Sequence, residues 1–167
     1  MKTCTMITAH SGSDSTPENS LEFIHKALEL GVDAIEIDVS KDSNQQLVLF
    51  HSENACDAPP GCVLLAGAFS AVKKYESVKI NCDLKKPGIE FEVLKLAERN
   101  GVGSRIILTG RVDGKLCSSE LFSNVEVFLN FEDLLEEEGI DIFALFHRND
   151  KNFKDALEIG AQKCLQY

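Results

Sequence analysis

The clearest pattern in the sequence is an alternation of apolar and acidic side chains at residues 34–39. Ile35, Ile37 and Val39 alternate there with Glu36 and Asp38. β-branched residues favour a strand, and neighbouring side chains on a strand point to opposite faces, so the two carboxylates should share one face. Two such carboxylates repel each other when they lose water, and Mg²⁺ or Ca²⁺ relieves that repulsion. The pattern predicts a metal-binding strand face, with a solvated acidic face as the alternative.

A second pattern is the succession of an amphipathic segment, a glycine and a short apolar run, which recurs four times. The glycines are Gly31, Gly101, Gly139 and Gly160. A glycine just past a helix end supplies the left-handed backbone conformation that ends the helix. Helices that alternate with short buried strands are typical of βα units and a parallel sheet.

These patterns predict eight strands and five helices, with a further short helix at residues 118–122. The predicted strands are residues 5–9, 34–39, 47–51, 78–84, 105–109, 125–130, 142–146 and 163–166. The predicted helices are residues 17–30, 69–75, 89–100, 131–138 and 152–159. Thr16 is the expected N-cap of the first helix, with Pro17 at its first position.

Eight strands in this order predict an α/β fold: a compact (β/α)₈ TIM-type barrel of parallel strands. Such barrels usually need about 250 residues and seldom fewer than about 200. The chain has 167 residues, so some helices should be shortened or missing. A partly open barrel is the alternative. The sequence shows no linker, so we expect one domain over residues 1–167.

The composition and net charge of the chain argue against some classes of binding partner. Hydrophobic residues make up 44% and charged residues 26% of the chain, as in soluble globular proteins. A net charge of -10 argues against nucleic acid or an anionic membrane as the main partner. No apolar run is long enough for stable membrane insertion. Six cysteines without a CxxC pair argue against zinc, and with no visible signal peptide we expect a cytoplasmic protein.

Polar residues gather where the predicted strands end. Active sites of α/β sheets lie at the carboxyl ends of the strands, so these side chains should converge. The residues at those positions are His10, Glu36, Asp38, His51, Asn81, Asp83 and Lys85.

This arrangement resembles the glycerophosphodiester phosphodiesterase family. That family has a strand ending in His-Arg-Gly, a Pro-Glu-Asn helix start, a Glu-x-Asp strand after Leu-Gly-(Ala/Val)-Asp, a strand ending in His-Asp, and a Glu-x-Lys strand. The matching segments here are Ala9-His10-Ser11-Gly12, Pro17-Glu18-Asn19, Leu30-Gly31-Val32-Asp33, Glu36-Ile37-Asp38, Phe50-His51-Ser52 and Asp83-Leu84-Lys85.

The resemblance implies a reaction and a role for each matching residue. The family cleaves a small glycerophosphodiester to glycerol 3-phosphate and an alcohol with the help of a divalent cation, Mg²⁺ or Ca²⁺. Imidazole can act as both acid and base near neutral pH, as this hydrolysis needs. The implied roles are metal binding for Glu36, Asp38 and Asp83, general acid/base catalysis for His10 and His51, and substrate binding for Lys85, Glu18 and Asn19.

Several of these roles have structural alternatives. His10 and His51 could instead be structural histidines, and Asn19 could be merely a locally hydrogen-bonded residue. Lys85 could instead be the ion-pair partner of Asp83. Glu18 could instead complement the dipole of a first helical turn.

Departures from the family pattern leave a second hypothesis open. Ser11 stands where the family has an Arg, whose paired hydrogen bonds to phosphate Ser cannot supply. Ser52 replaces an Asp, and Asp83 is one methylene shorter than the usual Glu. The alternative is therefore a catalytically weak or inactive barrel that binds a phosphorylated ligand or a regulatory partner. Incomplete helical cover would expose apolar surface, which favours a homodimer.

Overall fold

The computed structural model describes residues 5–51, 58–112 and 125–128. The strands are β1 (Thr8–Ala9), β2 (Ala34–Lys41), β3 (Leu47–Leu49), β4 (Lys79–Leu84), β5 (Ile106–Gly110) and β6 (Glu126–Val127). The helices are α1 (Leu21–Leu30), α2 (Leu65–Val72) and α3 (Glu90–Asn100), with short 3₁₀ turns at Ser13–Ser15 and Gly103–Arg105. In the described parts of the chain, none of the helices has the length and hydrophobicity of a membrane-spanning segment.

Five strands form a continuous parallel sheet in the order β1-β2-β4-β5-β6. The connections from β1 to β2 through α1 and from β4 to β5 through α3 are βα units, as the recurring pattern predicted. In a parallel sheet all carboxyl ends meet at one edge. That edge carries the polar residues considered below.

The third strand departs from the predicted parallel arrangement. β3 pairs antiparallel with β2, with Val39 opposite Leu49 and Lys41 opposite Leu47. The reversal is made by Asp42, whose carboxylate accepts hydrogen bonds from the amides of Asn44 (2.9 Å) and Gln46 (2.8 Å). Such local side-chain bonds are typical of tight turns. The chain then returns along β2 as a hairpin, where the sequence predicted a separate βα unit.

The apolar positions of the sheet pack against the helices. Ile35, Ile37 and Val39 of β2 are fully buried in one core with side chains of all three helices, including Phe69 of α2. Glu36 and Asp38 consequently lie on the opposite face, because side chains alternate along a strand. The alternation predicted at residues 34–39 is therefore confirmed.

Two predicted helix ends are confirmed, whereas two predicted helix starts are wrong. Gly31 and Gly101 follow α1 and α3 with φ of 75° and 74°, as expected for helix-ending glycines. The first helix, however, is capped by Ser20, whose hydroxyl accepts from the Phe23 amide (3.0 Å), so Thr16 is not its N-cap and Pro17 does not begin it. The second helix begins at Leu65, four residues before the predicted start.

Several predictions fall outside the described residues. These are the helices at residues 118–122, 131–138 and 152–159, and the strands at residues 142–146 and 163–166. The strand predicted at residues 125–130 contains the shorter β6.

Candidate active site

Three carboxylates come together at the carboxyl edge of the sheet. β2 and β4 pair in a register that places Asp38 beside Asp83 and Glu36 beside Asn81. One ligand oxygen from each of Glu36, Asp38 and Asp83 lies within 4.8 Å of the others. Glu36 and Asp38 are buried and Asp83 is half-buried. The sequence placed these residues on the correct face, and the strand register brings them into one cluster.

Asp38 has the richest set of partners. The Asn19 side chain donates from Nδ2 to Asp38 Oδ2 (2.7 Å), and its Oδ1 accepts from the Asp38 backbone amide (3.0 Å). Lys85 Nζ lies 2.8 Å from Asp38 Oδ1. Burial by itself would raise the pKa of Asp38, but the hydrogen bonds from Asn19 and Lys85 outweigh it and hold the pKa below its usual value.

The pKa of Glu36 is shifted in the opposite direction from that of Asp38: it is raised. Burial, the largest influence, raises the pKa of Glu36, and the negative charges of Asp38 and Asp83 raise it further. The backbone amide of Ser11, which donates to Glu36 Oε2 over 3.1 Å, lowers this pKa only in part. The cluster therefore holds one carboxylate whose charge is well compensated and one whose charge is not.

Asp83 is held between β4 and β5. One of its oxygens forms an ion pair with Lys85, and the other lies 3.0 Å from the hydroxyl of Thr109. Gly110 has φ of 75°, and a Cβ there would come within 2.4 Å of Asp83 Oδ1. Thr109 and Gly110 were not predicted as site residues from the sequence, because only the pairing of β4 with β5 brings them to Asp83.

Each of the two histidines lies near a different carboxylate of the cluster. His10 Nε2 lies 3.7 Å from Glu36, and His51 Nδ1 lies 3.4 Å from Asp38. Their side chains are 79% and 49% exposed, so both rings can reach a ligand from solvent. The carbonyl oxygen of Ser11 lies 2.9 Å from His10 Nδ1, which favours a proton on Nδ1 and leaves Nε2 free to accept one.

His51 reaches this position by a route that the sequence did not predict. The Phe50 amide donates to the Asp38 carbonyl (3.1 Å), which continues the antiparallel pairing of β3 beyond Leu49. The hairpin thus carries His51 back to Asp38. The sequence predicts His51 at the end of a parallel strand, and the antiparallel direction of β3 corrects this prediction.

Ser11 supports the site through a hydrogen bond that was not predicted from the sequence. Its side chain is buried, and its hydroxyl oxygen accepts from the backbone amide of Asn19 over 2.7 Å. Asn19 has a φ of 52°, an uncommon left-handed backbone conformation. The Ser11 hydroxyl helps to hold Asn19 in that conformation, with its amide group against Asp38.

The remaining candidates, Glu18 and Lys85, differ in their surroundings. Lys85 bridges Asp38 and Asp83, and although burial lowers its pKa, these two carboxylates outweigh burial and raise it. Glu18 is exposed and precedes α1, so it does not belong to a first helical turn. With Asn19 and His51, it lines a cleft of about 350 Å³ next to the cluster.

The cluster is chemically suited to a divalent cation. Three carboxylates offer hard oxygen ligands of the kind that Mg²⁺ and Ca²⁺ prefer. Among the described residues, only the ammonium group of Lys85 lies close enough to offset their mutual repulsion. A cation at the cluster would also compensate the charge of Glu36, which burial opposes.

Comparison with known proteins identifies the family. The family model described as "Glycerophosphoryl diester phosphodiesterase family" matches residues 10–137. A curated glycerophosphodiester phosphodiesterase from Caldanaerobacter subterraneus subsp. tengcongensis is 42% identical over 50 residues. That alignment covers 29% of this chain and 21% of the relative, or about a fifth of its length.

Solved structures extend the likeness over most of the chain. The glycerophosphodiester phosphodiesterase of Thermotoga maritima superposes with a TM-score of 0.54 at 18% identity, covering 96% of this chain and 83% of that one. An Oleispira antarctica phosphodiesterase, solved with the product sn-glycerol-3-phosphate, gives a TM-score of 0.55 at 17% identity, covering 81% and 72%. At such identities the likeness concerns the fold, and it confirms the predicted barrel class of α/β fold. With a family model matched over residues 10–137, the chain belongs to the glycerophosphoryl diester phosphodiesterase family.

Proposed function

We propose that this protein hydrolyses small glycerophosphodiesters to glycerol 3-phosphate and an alcohol. The observation that carries the proposal is a cluster of three carboxylates flanked by two exposed histidines, with His10 at Glu36 and His51 at Asp38. Family membership and the product complex of the Oleispira antarctica neighbour support the same reaction class. The same comparisons do not favour an inactive barrel.

The two histidines are proposed to move the protons. One imidazole removes the proton from the attacking water or hydroxyl, and the other protonates the departing alkoxide. Because each ring lies near a different carboxylate of the cluster, we propose that the two serve the attacking and the leaving oxygen separately. The Nδ1 contact of His10 with the Ser11 carbonyl suits Nε2 to the role of base.

Glu36, Asp38 and Asp83 are proposed to hold Mg²⁺ or Ca²⁺. When bound, such a cation neutralises phosphate oxygens and favours ionisation of an attacking oxygen. Asn19 keeps the Asp38 carboxylate in place through its two hydrogen bonds and borders the substrate cleft.

Lys85 and Glu18 complete the proposed substrate site. Lys85, which lies at Asp38 and Asp83, is proposed to add positive charge near a bound phosphate and to stabilise negative charge that develops on it. This contribution compensates in part for Ser11, which replaces the phosphate-binding Arg. Glu18 lines the adjoining cleft.

The test is release of glycerol 3-phosphate from glycerophosphocholine, glycerophosphoethanolamine and glycerophosphoglycerol with Mg²⁺, Ca²⁺ or EDTA. We expect release that depends on the cation and falls at least about a hundredfold in His10→Ala, the usual size of a general acid/base contribution. His25→Ala is the matched control, because His25 is exposed on α1 away from the cluster. Folded, cation-bound protein that releases nothing would overturn the proposal.

A further inference from the structure

The cleft beside His51 is lined mainly by apolar side chains and carries one carboxylate. Phe50, Cys62 and Val63 contribute apolar or weakly polar walls, and Glu18 contributes a carboxylate. Asn19 and His51 border both the cleft and Asp38, so the cleft opens directly from the carboxylate cluster. Its volume of about 350 Å³ is at the small end of the range for small-molecule sites.

Glu18 is available to a ligand. Its side chain is exposed, and within the described parts of the chain no residue forms an ion pair with it. A Cβ at Gly12 would come within 2.6 Å of Glu18 Cγ, so the stem of Glu18 lies directly against Gly12. Among the described residues that line the cleft there is no Lys or Arg.

We propose that this cleft receives the alcohol part of the diester and selects a small amino alcohol that carries a positive charge. The Glu18 carboxylate attracts an ammonium group, and Phe50 adds an aromatic side chain, of the kind that binds quaternary or primary ammonium groups, to the lining of the same cleft. The walls formed by Val63 and Cys62 cover methyl or methylene groups and offer few partners to a polyhydroxylated alcohol. The inference rests on the proposed phosphodiesterase function.

The charge of the whole chain acts in the same direction. A phosphodiester with a cationic alcohol is neutral overall, whereas one with a glycerol or inositol head group keeps a net negative charge. The chain carries a net charge of -10, so the neutral zwitterion approaches with less repulsion.

The test compares kcat/KM for glycerophosphocholine and glycerophosphoethanolamine with that for glycerophosphoglycerol, in the same cation. The wild type should prefer the two cationic esters. Glu18→Gln should lower kcat/KM for those esters by up to about fivefold, the scale of an exposed ion pair, and should lower it distinctly less for the glycerol ester. Glu22→Gln, which removes an exposed carboxylate in the first turn of α1, is the matched control and should change none of the three.

The outcomes separate this inference from the proposed function. An equal loss on all three esters in Glu18→Gln would place Glu18 against the glycerol that they share, and a wild-type preference for the glycerol ester would contradict a cationic subsite. Either result overturns the inference while leaving the phosphodiesterase in place. Failure to hydrolyse any ester would overturn both.

Discussion

Ser11 shows how a single residue can depart from a family pattern and still serve the site. Its hydroxyl accepts from the Asn19 amide, its own amide donates to Glu36, and its carbonyl contacts His10. Through Asn19 it also acts on Asp38, which Asn19 holds by two hydrogen bonds. Ser11, at the position where the family pattern predicts an Arg, thus orders two of the three carboxylates.

A substitution at Ser11 tests this positioning role. Ser11→Ala leaves the buried Asn19 amide without its acceptor, which should cost about 1–3 kcal/mol of unfolding free energy. It should also weaken Mg²⁺ binding measured by calorimetry, because Asp38 is held less firmly. Ser11→Thr keeps a hydroxyl and should retain most of the affinity. Wild-type affinity in Ser11→Ala would contradict the role, even if the variant were less stable.

At the scale of elements, the β2–β3 hairpin is what brings His51 to Asp38. The hairpin depends on the turn at Asp42, whose carboxylate accepts two backbone hydrogen bonds. Pairing then continues to the bond between the Phe50 amide and the Asp38 carbonyl. The position of one proposed catalytic residue therefore depends on the turn that begins at Asp42 and leads directly into β3.

Asp42→Ala tests this dependence. Loss of the two bonds to the turn amides should lower the unfolding free energy by about 1–2 kcal/mol, since each such bond contributes roughly 1 kcal/mol. We expect kcat to fall while Mg²⁺ affinity stays close to that of the wild type, because the three carboxylates lie on β2 and β4. Asp42→Asn, whose side-chain oxygen can accept the same bonds, is the control. An unchanged kcat in Asp42→Ala would show that the turn does not position His51.

At the scale of the whole molecule, we expect the carboxylate cluster to couple stability to pH and to a bound cation. The pKa of Glu36 is raised in the folded chain, so its contribution to stability is present below the unfolded pKa and is lost as pH rises through the folded pKa. The pKa of Asp38 is lowered, so its contribution is present above the unfolded pKa and is lost as pH falls through the folded pKa. The two residues should therefore respond oppositely to neutralisation.

Chemical unfolding of two isosteric variants in EDTA measures this difference. At neutral pH Glu36→Gln should be at least as stable as the wild type, whereas Asp38→Asn should lose about 1–3 kcal/mol through its weakened hydrogen bonds. The deficit of Asp38→Asn should shrink in acid. A loss of stability in Glu36→Gln at neutral pH would contradict the balance described for Glu36.

Addition of Mg²⁺ to the same two variants gives a second readout. At about a hundred times its Kd, the cation should stabilise the wild type by about 2.7 kcal/mol, and both variants should lose most of that gain. Equal stabilisation of the wild type and Glu36→Gln would argue against a cation at this cluster.

The sequence by itself determined the local features of this protein. Alternation at residues 34–39 set which side chains of β2 face the core, because strand side chains alternate whatever the neighbours are. Gly31 and Gly101 marked two helix ends, because glycine adopts the left-handed conformation at little cost. The motifs around His10, Glu36, Asp38 and His51 indicated the family, and the match over residues 10–137 confirmed it.

Only the tertiary structure decided how the site is assembled. The register of β2 against β4 sets Asp38 beside Asp83, and the register of β4 against β5 brings Thr109 to Asp83. The antiparallel course of β3 and the buried bond from the Asn19 amide to Ser11 join residues that no local spacing relates. Strand register and chain direction depend on the packing of the whole sheet, and a local pattern carries neither.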